Sequence, residues 1–512
     1  MKISRTKNGI RNIIWGVSYN LLIIIIPFFL RTIIIKSLGA DYLGLSSLFT
    51  SILMVLSLAD LGFSGAVVFC MYKPIAEDDK DTICALMNYL KKVYHIIGVI
   101  ILGIGLIIMP FLRYIIKGDI PSDINLYILY LLFLANSSVS YFLFAHRNVI
   151  LTAYQREDIF NKINILVKFI TYALQIFSLI VLHNYYVYVT SNIISTILSN
   201  IIAAYYSHKI FPQYTPNGYL TVETKKVLTK NIIALFIGKI AMISRNAFDN
   251  IFISAFLGLE LVTIYGNYYY IMNSINSILS IFLSSLSAGI GNSVASETRE
   301  KNYNDMKKLN FIYEWIAGWC TVCLLCLYQP FMQIWMGNSM MLSNLDMILM
   351  CLYFYVLSIG CVRSQFSSAA GLYWEGRYYV TVEAVLNIML NGILGYLFGV
   401  KGIIGSTVIS IILVNFIWGT HVLFKYYFEE YNIKGFFKQH ILYFVITCCV
   451  GFISYFLCNK LVLTNKFIEL MFRAFICLIV PNVLFVLFYR KNTLFIDAKK
   501  MIVYSIKHML KK

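Results

Sequence analysis

Fourteen long apolar runs constrain this chain more than any other feature, because a helix needs about 20 mostly apolar residues to cross a bilayer. They lie at 12–35, 46–71, 93–116, 124–145, 161–182, 188–207, 230–256, 264–290, 309–330, 345–367, 378–399, 403–424, 440–458 and 467–489. The runs are continuously apolar. Strands of a membrane barrel would instead alternate over about ten residues. Composition agrees, with 59% hydrophobic residues, a mean hydropathy of +0.74 and only 13% charged residues, about half the charged share of soluble domains. The expected fold class is all-α: a polytopic membrane protein with about 14 transmembrane helices, arranged as two six-helix lobes plus two extra C-terminal helices.

The cations set an orientation. Of the 42 Lys and Arg residues, thirty fall in segments on the side of the N-terminus, and six (Lys36, Arg113, Lys117, Lys401, Lys460, Lys466) on the other. By the positive-inside rule both termini are expected in the cytoplasm. The net charge of +18 then reads as topology, and nucleic-acid binding is disfavoured for want of a basic soluble domain to carry it. The start, with a basic head and an apolar body, resembles a signal peptide; the body is too long and lacks a small-residue cleavage site, so a retained first helix is expected. The C-terminal "LFIDAKKMIVYSIKHMLKK" reads as a basic amphipathic helix on the anionic leaflet.

The loops exclude much catalysis. The longest internal ones, about 208–229, 72–92 and 291–308, are cytoplasmic, and the opposite face has only short loops bearing Asp41, Asp119, Asp123, Glu260, Asp346 and Glu469. No G-x-x-x-x-G-K-[ST] phosphate loop occurs, so nucleotide hydrolysis by that route is excluded. The chain is read as a non-enzyme and transport is the leading class; a polytopic glycosyltransferase or polymerase is the less favoured alternative. Cys320, Cys323 and Cys326 form a CxxCxxC, an iron–sulfur-like spacing, but no fourth ligand follows at a fitting distance. They are read as small apolar packing residues, as are Cys448 and Cys449, and no cofactor or metal is expected.

An internal repeat supports the two-lobe reading. "LGADYLGLSSLF" from Leu38 and "LGLELVTIYGNYY" from Leu257 share a Leu–Gly pair and an acidic residue (Asp41, Glu260) at a constant offset of 219. The expected divisions are an N-terminal six-helix lobe 1–207, a cytoplasmic linker 208–229, a C-terminal six-helix lobe 230–425, an additional helix pair 426–489 and a basic amphipathic tail 490–512.

Arg11-Asn12 before the first span, "FFLRTIIIKSLGADYLGLSSLFTSILMVLSLADLGF", "MYKPIAEDDKDTICALMNYLKKVY" and "TAYQREDIFNKINILVK" together resemble bacterial repeat-unit flippases for O-antigen, capsule and other surface polysaccharides, members of the multidrug/oligosaccharidyl-lipid/polysaccharide (MOP) exporter superfamily. The specific motifs lie in about the first 170 residues. The resemblance implies export of a polyprenyl-pyrophosphate-linked oligosaccharide from the inner to the outer leaflet of the bacterial cytoplasmic membrane, around a central cavity lined chiefly by spans 1, 2, 7 and 8. It also implies the lipid bilayer, a polysaccharide polymerase and other assembly proteins as partners, and no nucleic acid. A multidrug cation exporter of the same superfamily and a peptidoglycan lipid-precursor flippase stay open as alternatives.

Charged residues inside spans name the cavity candidates. An ionisable group at the bilayer centre costs about 2.5–3.5 kcal/mol on the lenient insertion scale, so it should face water or a partner. Asp60 lies roughly 20 Å deep at 1.5 Å per residue, Arg245 roughly 17 Å and Lys239 roughly 25 Å. Asp60 and Arg245 are expected to pair, as are Arg31 and Asp249 nearer the outer surface. These five residues are the expected substrate cavity, cationic by one charge, and Tyr268, Tyr269 and Tyr270 are expected sugar-stacking rings. Lys168, Arg363 and Arg473 are weaker candidates. Glu314 and Glu383 read as solvated helix ends.

Overall fold

The computed structural model describes residues 5–60, 62–460 and 463–500. Among them every element is helical. The chain divides into two compact units, Met1–Thr263 and Ile264–Lys512.

In the first unit the helices run α1 (Arg5–Ser37), α2 (Ala40–Leu56), α3 (Phe63–Ala76), α4 (Lys80–Ile108), α5 (Leu112–Ile115), α6 (Leu126–Phe142), α7 (Asn148–Ala153), α8 (Glu157–Phe177), α9 (Tyr185–Ile210) and α10 (Val222–Leu257). Then α11 (Leu259–Ser296) begins, and its second turn holds the boundary between the units. Helix α1 packs on α8, α8 on α9, α4 on α3 and α6, and α10 on α2 and α3. Side-chain oxygens start several of these helices: Asp79 accepts from the Thr82 amide at 3.0 Å to begin α4, and Asn125 accepts from Tyr127 and Ile128 to begin α6. Each satisfies amides that have no partner inside the helix. Leu45, Leu48, Phe49, Leu86, Leu129 and Leu151 are fully buried in this unit's core.

The second unit continues with α12 (Arg299–Trp335), α13 (Asn344–Ile359), α14 (Cys361–Ala369), α15 (Tyr373–Phe398), α16 (Val400–Ser410), α17 (Gly419–Tyr426), α18 (Ile433–Asn459) and α19 (Lys466–Tyr489). A π-helical stretch, Ile411–Trp418, joins α16 to α17. Helix α12 is the central strut, packed against α13, α18 and α19, while α15 and α16 form the tightest pair. Glycine permits that approach: a Cβ on Gly402 would sit 1.8 Å from the Leu394 carbonyl oxygen.

Eleven described helices are long and apolar enough to cross a membrane, or twelve if the bent pair Leu126–Phe142 and Ala145–Ala153 is one span. The expected span 46–71 falls on the shorter helices α2 and α3, and 230–256 on α10, so fourteen is not the number of continuous spans found among the described residues. Large apolar side chains are exposed along helix faces, such as Phe467, Met471, Phe475, Leu478 and Leu487 on α19. That is the surface a helix presents to acyl chains. Of the expected tail 490–512, residues 493–500 are helical and 501–512 lie outside the described residues.

The repeated Leu–Gly pairs have one backbone solution. Gly39 (φ 117°, ψ 168°) and Gly258 (φ 101°, ψ 173°) take the same glycine-favoured conformation, one before α2 and the other between α10 and α11. The two turns also meet: Thr263 Oγ1 donates to the Ala40 carbonyl at 2.6 Å, and the Leu259 carbonyl occupies the place a side chain on Gly44 would need.

Candidate functional site

The second apolar run is not one helix. Helix α2 stops at Leu56, a 3₁₀ turn covers Ser57–Asp60, and α3 restarts at Phe63. Gly62 takes φ 102°, a conformation open to glycine, and a Cβ there would lie 2.9 Å from the Leu235 Cβ of α10. Glycine therefore serves both the break and the close approach of α10. Irregular backbone at membrane depth is tolerated only where it is buried in protein or lines a watery cavity. Asp60 sits in this break.

The surroundings of Asp60 are polar and aromatic. Tyr141 Oη, on α6, donates to Asp60 Oδ2 at 3.2 Å, and the Tyr141 ring packs edge-on against Tyr94 with centroids 5.4 Å apart. The second carboxylate oxygen, Oδ1, is buried with no hydrogen bond among the described residues. Lys239 on α10 lies within Coulombic range of the carboxylate. Its own side chain is exposed.

Three further candidates have definite places. Arg245 is half-buried and Asp249 is buried, one turn apart on α10. The neighbouring Asn250 donates to Ser51 Oγ of α2 at 3.0 Å, which fixes this face of α10 against the second span. Arg31, half-buried on α1, lies within Coulombic range of Tyr185 and Tyr188 at the start of α9. All five charged candidates thus belong to the first unit.

The tyrosines of α11 divide. Tyr268 is fully buried; its hydroxyl donates to Gln329 Oε1 at 2.5 Å and accepts from the Leu342 amide, and its ring packs on Tyr328. That ring holds α11 to α12. Tyr269 stacks on Tyr265, and Tyr269 and Tyr270 are half-buried.

Two buried polar groups in the second unit join residues named from the sequence, Arg363, Glu314 and Glu383, to partners that were not, Asn415, His440 and Asn310. Arg363, almost wholly buried, donates to Asn415 Oδ1 at 3.0 Å, and Asn415 Nδ2 donates to Glu383 Oε2 at 2.9 Å, so the amide bridges cation and carboxylate. Glu314 lies 3.5 Å from His440 Nδ1, while His440 Nε2 meets Asn310 at 2.7 Å. Glu314 and Glu383 are therefore interior residues and not solvated helix ends. Helix α12 begins at Arg299, well before the expected edge of its span, which carries Glu314 into the packed bundle.

Two of the motifs behind the family resemblance, Arg11-Asn12 and the segment from Thr152, form one joint. Arg11 pairs with the fully buried Asp158, which also takes Arg156 Nε at 3.0 Å and Lys162 Nζ at 3.6 Å. Asn12 donates to the Gln155 carbonyl at 3.1 Å and accepts from the Asp158 amide at 2.8 Å. The segment before the first span thereby caps the start of α8.

The fold is similar to that of solved structures of a lipid II flippase and of MATE transporters. The lipid II flippase MurJ in an inward closed conformation is similar over 93% of this chain and 98% of its own, with a TM-score of 0.65 and 17% identity. An inward-facing multidrug resistance MATE family transporter of the MOP superfamily matches 80% of this chain and 97% of its own, with a TM-score of 0.56 and 15% identity. A MATE transporter from Vibrio cholerae matches 84% of this chain and 99% of its own, with a TM-score of 0.56 and 12% identity. No protein-family model matches the sequence, and no curated protein sequence matches it.

Proposed function

We propose that this chain is a flippase that moves a polyprenyl-pyrophosphate-linked oligosaccharide repeat unit from the inner to the outer leaflet by alternating access, for surface polysaccharide biosynthesis. The observation that carries the reading is the placement of Lys239: an exposed cation on α10, within Coulombic range of a carboxylate set in the break between α2 and α3. Arg31, Lys239 and Arg245 against Asp60 and Asp249 leave one positive charge in excess. That suits a pyrophosphate better than an organic cation. Tyr269 and Tyr270 are the rings offered to sugars. In this reading the N-terminus is cytoplasmic and the polyprenol tail stays in lipid throughout.

The energetics permit export without nucleotide. Moving about two negative charges outward through an inside-negative potential of about 100 mV is favourable by roughly 4–5 kcal/mol, at 2.3 kcal/mol per charge. A peptidoglycan lipid-precursor flippase is the second reading, favoured by the overlap with the MurJ fold over 93% of this chain. Reconstitution tests both. In proteoliposomes, a labelled polyprenyl-pyrophosphate oligosaccharide should become accessible to an impermeant sugar oxidant faster with the protein than without it. Acceleration of lipid II alone would select the second reading.

A further inference from the structure

Three cysteines from three separate helices converge in the second unit. The sulfurs of Cys326 (α12), Cys458 (α18) and Cys477 (α19) all lie within 4.8 Å of one another, and all three residues are buried. Cys320 and Cys323, the other members of the CxxCxxC, are outside this group and only half-buried. The sequence motif and the spatial cluster thus share one residue.

We propose that Cys326, Cys458 and Cys477 bind one thiophilic divalent cation as a trigonal tristhiolate. With metal–sulfur bonds of about 2.3 Å, a planar three-sulfur site has sulfurs about 4.0 Å apart. Closure from the present separations needs movements below about 1 Å, which side-chain rotation supplies. Soft thiolate donors select soft or borderline cations over magnesium and calcium. The reaction balances as three thiols plus one divalent cation giving a metal tristhiolate of charge −1 and three protons.

That negative charge needs a partner inside a membrane protein, and one is in place. Arg473 precedes Cys477 by one helical turn on α19, and its Nη1 donates at 3.2 Å to Asn459, the residue after Cys458. Arg473 lies within Coulombic range of Cys458. It also pairs with Glu469 at 2.7 Å, and Glu469 takes Lys466 at 3.2 Å. Arg473 is thus the cation that acts on the sulfurs, opposite in sign to a divalent tristhiolate. Arg473 Nε is buried without a hydrogen-bond partner among the described residues, so it has a donor to spare for a thiolate. The bound ion would clip α12, α18 and α19 together.

Cadmium is the probe. Titrated into the purified full-length chain in detergent under a thiol-free reductant, it should bind saturably at one equivalent with a thiolate-to-metal absorption band and raise the melting temperature. Cys477→Ser and Cys458→Ser should each weaken binding at least tenfold, Arg473→Gln should weaken it several-fold, and Cys448→Ser, at an exposed position, should change nothing. A second measurement needs no variant: bound cadmium should protect Cys326, Cys458 and Cys477, and no other cysteine, from alkylation mapped by mass spectrometry after denaturation. Absence of a saturable band, protection of Cys320, Cys323, Cys448 or Cys449 instead, or a disulfide among the three under these conditions would overturn the proposal.

Discussion

The hydroxyl of Tyr141 donates to Asp60 across 3.2 Å, fastening α6 to the turn that interrupts the second span. Because Asp60 Oδ1 has no hydrogen bond among the described residues, the tyrosine is the carboxylate's recorded hydrogen-bond donor. Tyr141→Phe should destabilise the protein by about 1–3 kcal/mol, the cost of stripping a donor from a buried charged acceptor. Thermal unfolding in detergent measures this. Asp60→Asn keeps an acceptor for Tyr141 and should melt close to wild type while lowering export, which separates fold from function.

Lys239 and Arg245 are predicted to act on substrate and not on stability, since one is exposed and the other half-buried. Lys239→Gln and Arg245→Gln should each lower export tenfold or more in a complemented host, with membrane abundance and melting temperature near wild type. Export that survives both changes would leave the charged-site model without support.

Gly402 and Gly405 lie one turn apart on α16 and should respond oppositely to the same change. An added methyl at Gly402 would collide with the Leu394 backbone, whereas nothing lies within 4 Å of one at Gly405. Gly402→Ala should cost about 3 kcal/mol or more, at the upper end of overpacking. Gly405→Ala should be neutral or stabilising by up to about 1 kcal/mol through helix propensity. Yield of folded protein from membranes distinguishes them.

Asp158→Ala should loosen the joint between α1 and α8. A fully buried ion pair broken on one side costs about 3–5 kcal/mol, but Arg11 keeps 32% of its side chain exposed, so about 1–3 kcal/mol is expected after allowing for solvent screening. Protease accessibility of the segment before the first span should rise in the variant and be unchanged in Glu157→Ala, whose carboxylate has no recorded ion pair among the described residues.

What the sequence disclosed follows from what is local. Apolar runs are contiguous, so the helical spans and the all-α class were readable, as was Asp60 as an anomaly within one of them. The repeated Leu–Gly pairs were readable too, because a glycine-only backbone needs glycine at Gly39 and Gly258. The break between α2 and α3 was not: one carboxylate and one glycine in an apolar run do not announce it, and the interruption depends on α10 pressing against Gly62. Tyr141, Asn415 and His440 were hidden for the same reason. Each matters through a partner more than 25 positions away, and an isolated Tyr, Asn or His in an apolar run looks like packing. The three-cysteine cluster shows this most sharply, since the spacing that drew notice, CxxCxxC, contributes one ligand and two distant cysteines supply the rest.

The central claim is the direction and nature of the cargo. The measurement that tests it is depletion of the protein in its host, followed by analysis of polyprenyl-linked saccharides and of the leaflet they face, using an impermeant sugar-modifying reagent. A complete oligosaccharide lipid that accumulates facing the cytoplasm, while surface polysaccharide falls, is the predicted result. Unchanged lipid-linked sugars, with only a shift in sensitivity to organic cations, would contradict it and assign the chain to drug export.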